Sequence, residues 1–324
     1  MRFFAKINIE NLLAVMQLIR LPNILIIVLI QLLLRYCIII PMMYPGHPDS
    51  VTMPADFLIL VVVTVLVAIG GYVINDYFDV KIDSINRPEK QVVNKLISPK
   101  GAIKLHIILN VVAILLGFYL SYCVRAISFG FIFPFLSGLL WIYSAKYKRM
   151  FLWGNFIVSS LSAFVILIVW LFEFFWLRLN TASFVDAIPV IPRVYYIFLG
   201  YALFAFLVSM VREIIKDMED AKGDLACGCK TLPVVIGLAK TRFIVAGIII
   251  ATILLLGYAQ LILYRLNLMM VFWYFMVTVQ TGAIYLLIKL FHARDKQDFH
   301  ILSNLSKLIM VAGILSLEII FLTI

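Results

Sequence analysis

Nine long apolar runs constrain the fold of this 324-residue chain more than any other feature of its sequence. A helix needs about 20 apolar residues to cross a bilayer, and each run has about that length. In lipid, only helices and closed barrels satisfy every backbone polar group. The sequence therefore predicts an all-α polytopic membrane protein. The runs cover residues 21–41, 55–76, 102–122, 127–145, 155–176, 194–215, 243–264, 268–290 and 302–324.

The composition excludes several other classes of protein. Hydrophobic residues make up 64% of the chain and charged residues 14%, whereas a soluble domain averages about 45–50% and about 25%. A soluble nucleic-acid binder, a disordered chain and a disulfide-rich secreted domain are thereby excluded. We expect one transmembrane domain over residues 1–324. We expect membrane lipids, and not nucleic acid, among its binding partners.

Basic residues are distributed unevenly between the two sets of connecting segments. With nine spans and a cytoplasmic N-terminus, 22 of the 27 Lys and Arg residues fall on the cytoplasmic side. Such an excess is typical of cytoplasmic loops, and it explains the net charge of +10 without nucleic acid. We predict an integral protein of a bacterial or archaeal-type inner membrane, with the N-terminus inside and the C-terminus outside.

Acidic residues concentrate in two short windows, which contain nine of the 17 Asp and Glu residues. The first window follows the second apolar run; besides Glu89 it contains Asp76, Asp79 and Asp83. If the helix continues, their i, i+3, i+7 spacing places three carboxylates on one face. Asn75 adds an amide oxygen nearby. Both windows lie at the predicted cytoplasmic ends of spans.

The second window follows the sixth run, and all of its acids except Glu219 form a similar stripe. Glu213, Asp217, Asp220 and Asp224 are spaced i, i+4, i+7 and i+11. Oxygen ligands of this kind suit Mg²⁺, which typically binds one or two carboxylates together with substrate phosphates. The predicted metal ligands are Asn75, Asp76, Asp79, Asp83, Asp217, Asp220 and Asp224.

Basic residues around these windows predict a site for a diphosphate. Lys and Arg side chains would take the phosphate charge that the metal leaves uncompensated. The alternative is that the acids merely solvate a membrane interface, but two windows with one-face spacing favour a functional site. The candidate phosphate ligands are Arg87, Lys90, Lys146, Lys148, Arg149, Arg212 and Lys216.

The order Asn75-Asp76-x-x-Asp79-x-x-x-Asp83 resembles the first Asp-rich signature of the UbiA superfamily of intramembrane prenyltransferases. This resemblance implies nine helices bundled around a central cavity that opens laterally. It also implies Mg²⁺-dependent transfer of a prenyl group from a polyprenyl diphosphate to a lipophilic acceptor. The diphosphate would lie between the two acidic faces, and pyrophosphate would be released.

The segment Asp220-x-x-x-Asp224 is similar to the second signature of that superfamily, and Tyr143 lies where the family carries a tyrosine near the diphosphate. The catalytic residues implied are Asp76, Asp79, Asp83, Asp220, Asp224 and Tyr143. The substrate-binding residues implied are Asn23, Asn75, Arg87, Lys90, Lys146, Arg149, Asn155, Arg212, Glu213, Lys216 and Asp217.

Two questions stay open on the sequence alone. The segment 212–224 most resembles the branch that acts on geranylgeranylglyceryl phosphate, yet an aromatic quinone precursor is a second possible acceptor. A cation transporter that uses the acids as an ion path is the alternative function. Transport sites usually lie near the bilayer midplane, whereas these acids lie at helix ends, which favours the enzyme.

Overall fold

The computed structural model describes residues 9–44, 51 and 53–323, and within them nine helices are long and apolar enough to cross a membrane. None of these described residues belongs to a β-strand. The predictions of an all-α fold and of nine spans are confirmed, and the protein is an integral membrane protein. The nine helices are α1 (Leu21–Met43), α2 (Pro54–Phe78), α3 (Pro99–Cys123), α4 (Ile127–Ala145), α5 (Trp153–Leu177), α6 (Ile191–Ala226), α7 (Leu232–Arg265), α8 (Met269–His292) and α9 (Lys296–Phe321).

Shorter helices connect or precede these spans. They comprise Ile9–Leu18, Val80–Asn86 and Thr181–Ala187, together with the 3₁₀ turns Pro88–Lys90 and Tyr147–Arg149. Capping fixes where two of the spans begin. The Ser98 hydroxyl accepts a hydrogen bond from the Gly101 backbone N–H at the start of α3. Asp295 and Asp298 form a capping box at the start of α9, which satisfies backbone donors that the helix leaves unpaired.

Two helices extend well beyond the apolar runs that predicted them. Helix α6 continues to Ala226, although its apolar run ends at residue 215. The length of an apolar run indicates only the part of a helix that lies in lipid. Polar residues such as Glu, Lys and Asp can continue the same helix beyond the bilayer into water. Helix α7 begins at Leu232, and Gly237 interrupts it with φ 82° and ψ 157°, a conformation that a residue with a Cβ rarely adopts.

Two compact units make up the chain. The first comprises the described residues of Met1–Val28 and Met53–Tyr147. Within it, α2 packs against α3 and α4. Small residues permit close packing in this unit: a Cβ atom on Gly117 of α3 would lie 2.1 Å from a ring carbon of Phe133 on α4. Close helix packing of this kind, rather than a hydrophobic effect, holds helices together in lipid.

The second unit comprises the described residues of Leu29–Thr52 and Lys148–Ile324. Helix α6 is its central element and packs against α5, α7 and α9. Buried apolar side chains from these helices, such as Ile214, Val245 and Phe299, form its core. The unit also contains an ion pair between Arg35 of α1 and Glu173 of α5, whose side chains are each 1% exposed.

Candidate active site

The first acidic window lies where α2 passes into the short helix Val80–Asn86. Asp79 occupies the junction, with φ −92° and ψ 1°. Helical hydrogen bonds nevertheless continue through it: the Asp79 N–H donates to the Asn75 carbonyl at 3.0 Å, and the Asp83 N–H donates to the Asp79 carbonyl at 2.8 Å. This ladder preserves the near-helical spacing of Asp76, Asp79 and Asp83, as the sequence pattern requires for a shared face.

Asn75 orients the most buried of these carboxylates. Its side-chain Nδ2 donates to Asp79 Oδ2 at 2.8 Å, and the two residues are only 5% and 1% exposed. A buried carboxylate is costly unless hydrogen bonds compensate it, so this contact stabilises Asp79 in one orientation. The predicted role of Asn75 as a metal ligand stays a prediction, and the structure adds a positioning contact to it.

Asp76 carries a different partner. Arg20 Nη2 lies 3.0 Å from Asp76 Oδ1, and the Arg20 guanidinium carbon lies 4.8 Å from the centre of the Tyr72 ring. Asn23 Nδ2 donates to the Tyr72 hydroxyl at 3.3 Å. Asn23, predicted to bind substrate, therefore supports the tyrosine on which Arg20 stacks.

The other predicted residues of the first unit lie on neighbouring segments. Arg87 is half-buried, and its backbone N–H donates to the Asp83 carbonyl at 2.8 Å. Tyr143 is half-buried on α4, and the exposed Lys146 ends that helix. The side chain of Lys90 lies outside the described residues. Their roles toward a substrate stay predictions.

Aromatic side chains extend from the acidic end of α2 across to α3 and α4. The rings of Phe78 and Trp141 meet edge to face at 5.8 Å, and Trp141 lies 5.2 Å from the ring of His106. Tyr77 contacts Phe78 at 5.1 Å. The faces of such rings can stabilise nearby cations.

The second acidic window lies on the last turns of α6, in the second unit. Asn155 of α5 donates through Nδ2 to Asp217 Oδ2 at 2.7 Å. The hydroxyl of Thr231, just before α7, donates to Asp224 Oδ2 at 3.2 Å. Asn155 was predicted to bind substrate, and the structure shows that it orients an acid on α6.

Basic side chains offset the charge of Glu213. Arg212 Nη1 approaches Glu213 Oε1 at 2.5 Å, and Lys216 Nζ approaches Oε2 at 3.4 Å. These three residues were predicted to bind substrate, and they form one charged group on α6.

The turn that carries Arg149 is held by a backbone contact: the Arg149 carbonyl accepts a hydrogen bond from the Lys230 N–H at 2.9 Å. This bond ties the turn that carries Arg149 to the segment that follows α6.

The donor set of both windows suits Mg²⁺. Carboxylate and amide oxygens are its preferred protein ligands. In residues 9–44, 51 and 53–323, no group of three or more His, Cys, Asp or Glu side chains is close enough to hold a metal ion. Mg²⁺ commonly takes one or two carboxylates and completes its shell with water and substrate phosphate, so these residues fit a metal that arrives with a diphosphate.

Sequence reasoning missed several contacts around the acids. The sequence did not predict the contact of Arg20 with Asp76 or that of Thr231 with Asp224. His300 of α9 donates through Nδ1 to the buried Glu219 of α6 at 3.2 Å, a pair that no local pattern indicated. The partners are 7 to 81 residues apart in the chain, so only the folded structure reveals them.

Comparison with known proteins gives a family match and close relatives. The model of the UbiA prenyltransferase family matches residues 34–307 of the chain. A digeranylgeranylglyceryl phosphate synthase from Sulfurisphaera tokodaii is 35% identical over 195 residues, which cover 59% of this chain and 61% of the relative. The synthase of the same name from Methanothermobacter thermautotrophicus is 37% identical over 206 residues, covering 62% of each chain. The chain thus spans less than two thirds of the length of these curated relatives.

Solved structures share the fold over nearly the full chain. One, from work on digeranylgeranylglyceryl phosphate synthase in membranes, superposes with a TM-score of 0.62 at 22% identity, covering 97% of this chain and 100% of the other. A UbiA homolog from Archaeoglobus fulgidus bound to GPP and Mg²⁺ superposes with a TM-score of 0.54 at 13% identity, covering 94% and 99%. At these identities the likeness establishes a common fold.

Proposed function

Because this chain belongs to the UbiA prenyltransferase family, we propose that it transfers a prenyl group from a polyprenyl diphosphate to a lipophilic acceptor. The observation that carries the proposal is the helical ladder through Asp79, which keeps Asp76, Asp79 and Asp83 at the spacing of a metal–diphosphate motif. Both acidic windows are required for the same reaction in this proposal.

Different residues of this chain would bind the metal, orient its ligands and bind the diphosphate. Asp76, Asp79 and Asp83 in the first window, and Asp217, Asp220 and Asp224 in the second, would hold the metal. When bound, Mg²⁺ neutralises the diphosphate and improves it as a leaving group. Asn75 and Asn155 keep one acid of each window oriented, at 2.8 Å and 2.7 Å. Basic side chains take the remaining phosphate charge, with Arg87, Arg149 and Arg212 as the candidates that offer a planar fork.

The reaction then exchanges one carbon–oxygen bond for another. The bond between the prenyl C1 atom and the diphosphate oxygen breaks, and its electron pair leaves with pyrophosphate. An acceptor hydroxyl oxygen forms the new bond to C1, and its proton passes to the departing pyrophosphate. The aromatic face of Phe78, next to the acidic end of α2, and that of Tyr143, which the family resemblance implies, would stabilise positive charge on the allylic carbons.

For the acceptor we propose the hydroxyl of a prenylated glyceryl phosphate. The support is the name of the relatives, which are digeranylgeranylglyceryl phosphate synthases at 35% and 37% identity. The direct test supplies purified protein and Mg²⁺ with radiolabelled geranylgeranyl, farnesyl and longer diphosphates and a panel of acceptors. Labelled product with geranylgeranylglyceryl phosphate supports the proposal, while product only with an aromatic acceptor overturns this choice.

Replacing Asp79 by Asn should lower the rate of prenyl transfer at least about 100-fold, because it removes a charged group that acts on the leaving group. The volume and the hydrogen-bonding partner of the side chain are nearly conserved. The measurement is turnover at saturating diphosphate and Mg²⁺. Glu89→Gln is the matched control, since Glu89 is exposed in the same window and should retain activity. An Asp79→Asn rate within threefold of wild type would contradict the proposed role.

We further propose that the acidic windows face the cytoplasm, with the N-terminus inside and the C-terminus outside. The support is the excess of Lys and Arg on one set of loops. In a variant without native cysteines, Leu96→Cys should react with an impermeant maleimide only from the cytoplasmic side, and Ala182→Cys only from outside. Both positions are exposed. The reverse labelling pattern would overturn the orientation.

A further inference from the structure

Arg20 forms an ion pair with Asp76, one of the carboxylates that are proposed to bind the metal. Arg20 lies between the helix Ile9–Leu18 and α1, and its backbone is in the left-handed region, with φ 52°. From that position the guanidinium reaches 56 residues along the sequence to Asp76, with Nη2 3.0 Å from Oδ1. One face of the guanidinium covers Tyr72. A positive charge in direct contact with Asp76 opposes binding of a second cation to the same oxygen.

The exposure of this ion pair allows Arg20 to leave Asp76 for another anionic partner. Its side chains are 34% and 19% exposed, and partly exposed pairs of this kind are weak. By contrast, Asp79 is only 1% exposed and accepts a hydrogen bond from the buried Asn75 amide. A guanidinium binds phosphate as well as carboxylate, through the same planar fork of donors. A diphosphate near Asp76 therefore gives Arg20 an alternative partner.

We infer that Arg20 is the counter-ion of Asp76 in the substrate-free protein and moves to the diphosphate when substrate arrives, so that Asp76 accepts metal only together with diphosphate. This inference rests on the proposed function and deepens it. In thermodynamic terms, Arg20 couples metal binding to diphosphate binding, and the coupling acts equally in both directions.

The test measures metal binding rather than turnover. Mn²⁺ serves as the probe in place of Mg²⁺, because its electron paramagnetic resonance signal reports the free ion. Full-length protein is titrated with Mn²⁺ alone and again with a non-cleavable thiolodiphosphate analogue of geranylgeranyl diphosphate. For wild type, the analogue should tighten Mn²⁺ binding about fivefold or more, within the usual range of coupling between sites. In Arg20→Gln, Mn²⁺ alone should bind about fivefold more tightly than to wild type, and the gain from the analogue should shrink.

Arg125→Gln is the matched control. Arg125 lies in the same unit, is exposed between two helices and has a similar left-handed φ of 49°, so the backbone cost of the substitution is the same. This variant should titrate like wild type. Arg20→Lys should keep Mn²⁺ alone weak, because the charge remains, but should bind the analogue less well because the fork is lost. Thermal unfolding of each variant verifies that it is folded.

Two results would overturn the inference. One is an Arg20→Gln variant whose affinity for Mn²⁺ alone stays within twofold of wild type. The other is a wild-type protein whose Mn²⁺ affinity does not respond to the analogue. These outcomes are distinct from failure of the proposed function, which would show as no labelled product with any diphosphate and acceptor. The titrations need no turnover, so they decide the role of Arg20 in either case.

Discussion

Removing divalent metal from the purified protein should abolish prenyl transfer, and adding Mg²⁺ back should restore it. The expected effect is complete loss, because diphosphate is a poor leaving group unless its charge is neutralised. In the proposed function the metal is held jointly with the substrate, so a chelator should act quickly at a modest concentration. The measurement is turnover in EDTA, followed by titration with Mg²⁺.

Ca²⁺ supplies a control for this experiment. It is larger than Mg²⁺ and prefers more ligands at longer distances, so it should restore activity poorly. Zn²⁺ prefers nitrogen and sulfur ligands, which the acidic windows do not offer. Full activity in excess chelator would contradict the metal role of all the aspartates at once.

Replacing Arg35 by Met should destabilise the protein by about 3–5 kcal/mol, because it leaves the charge of Glu173 buried without the guanidinium. The two side chains are 3.7 Å apart, each 1% exposed, and lie on helices that span the membrane. Arg35 belongs to a π-helical segment, Leu34–Ile39, inside α1. The free energy of unfolding in mixed micelles of detergent and SDS measures the effect.

The double variant Arg35→Met and Glu173→Leu is the matched control. It removes both charges, so most of the lost stability should return. It should also retain prenyl transfer, because the pair lies outside the proposed substrate-binding residues. A double variant as unstable as Arg35→Met would contradict this account of the pair. Loss of transfer in a stable double variant would contradict a purely structural role for these two charges.

The number and position of the spans could be predicted from the sequence because hydrophobic length is a local property. All nine apolar runs correspond to helices among the described residues. The helix ends were less predictable. Helix α6 continues 11 residues beyond its apolar run, through the second acidic window to Ala226, since apolar content does not determine where a helix ends in water. The second window is consequently part of a long helix.

The acids of the candidate site could also be predicted, because their spacing follows the helical period. Their partners could not. Asp76 contacts Arg20, Asp217 contacts Asn155, and the residues of each pair are 56 and 62 positions apart. Such contacts depend on how helices pack, which the periodicity of one segment does not encode. Asn155 illustrates the limit: its position near the site was recognised, but its role in orienting Asp217 was not.

Acceptor-dependent release of pyrophosphate tests the central claim most directly. Purified protein with Mg²⁺ and geranylgeranyl diphosphate is assayed with and without geranylgeranylglyceryl phosphate, and pyrophosphate is measured by an enzyme-coupled assay. Prenyl transfer predicts release that rises with acceptor concentration, matches labelled product one to one and falls at least about 100-fold in Asp79→Asn. No release above background with any diphosphate and any acceptor, from protein that is folded, would contradict the claim that this chain is a prenyltransferase.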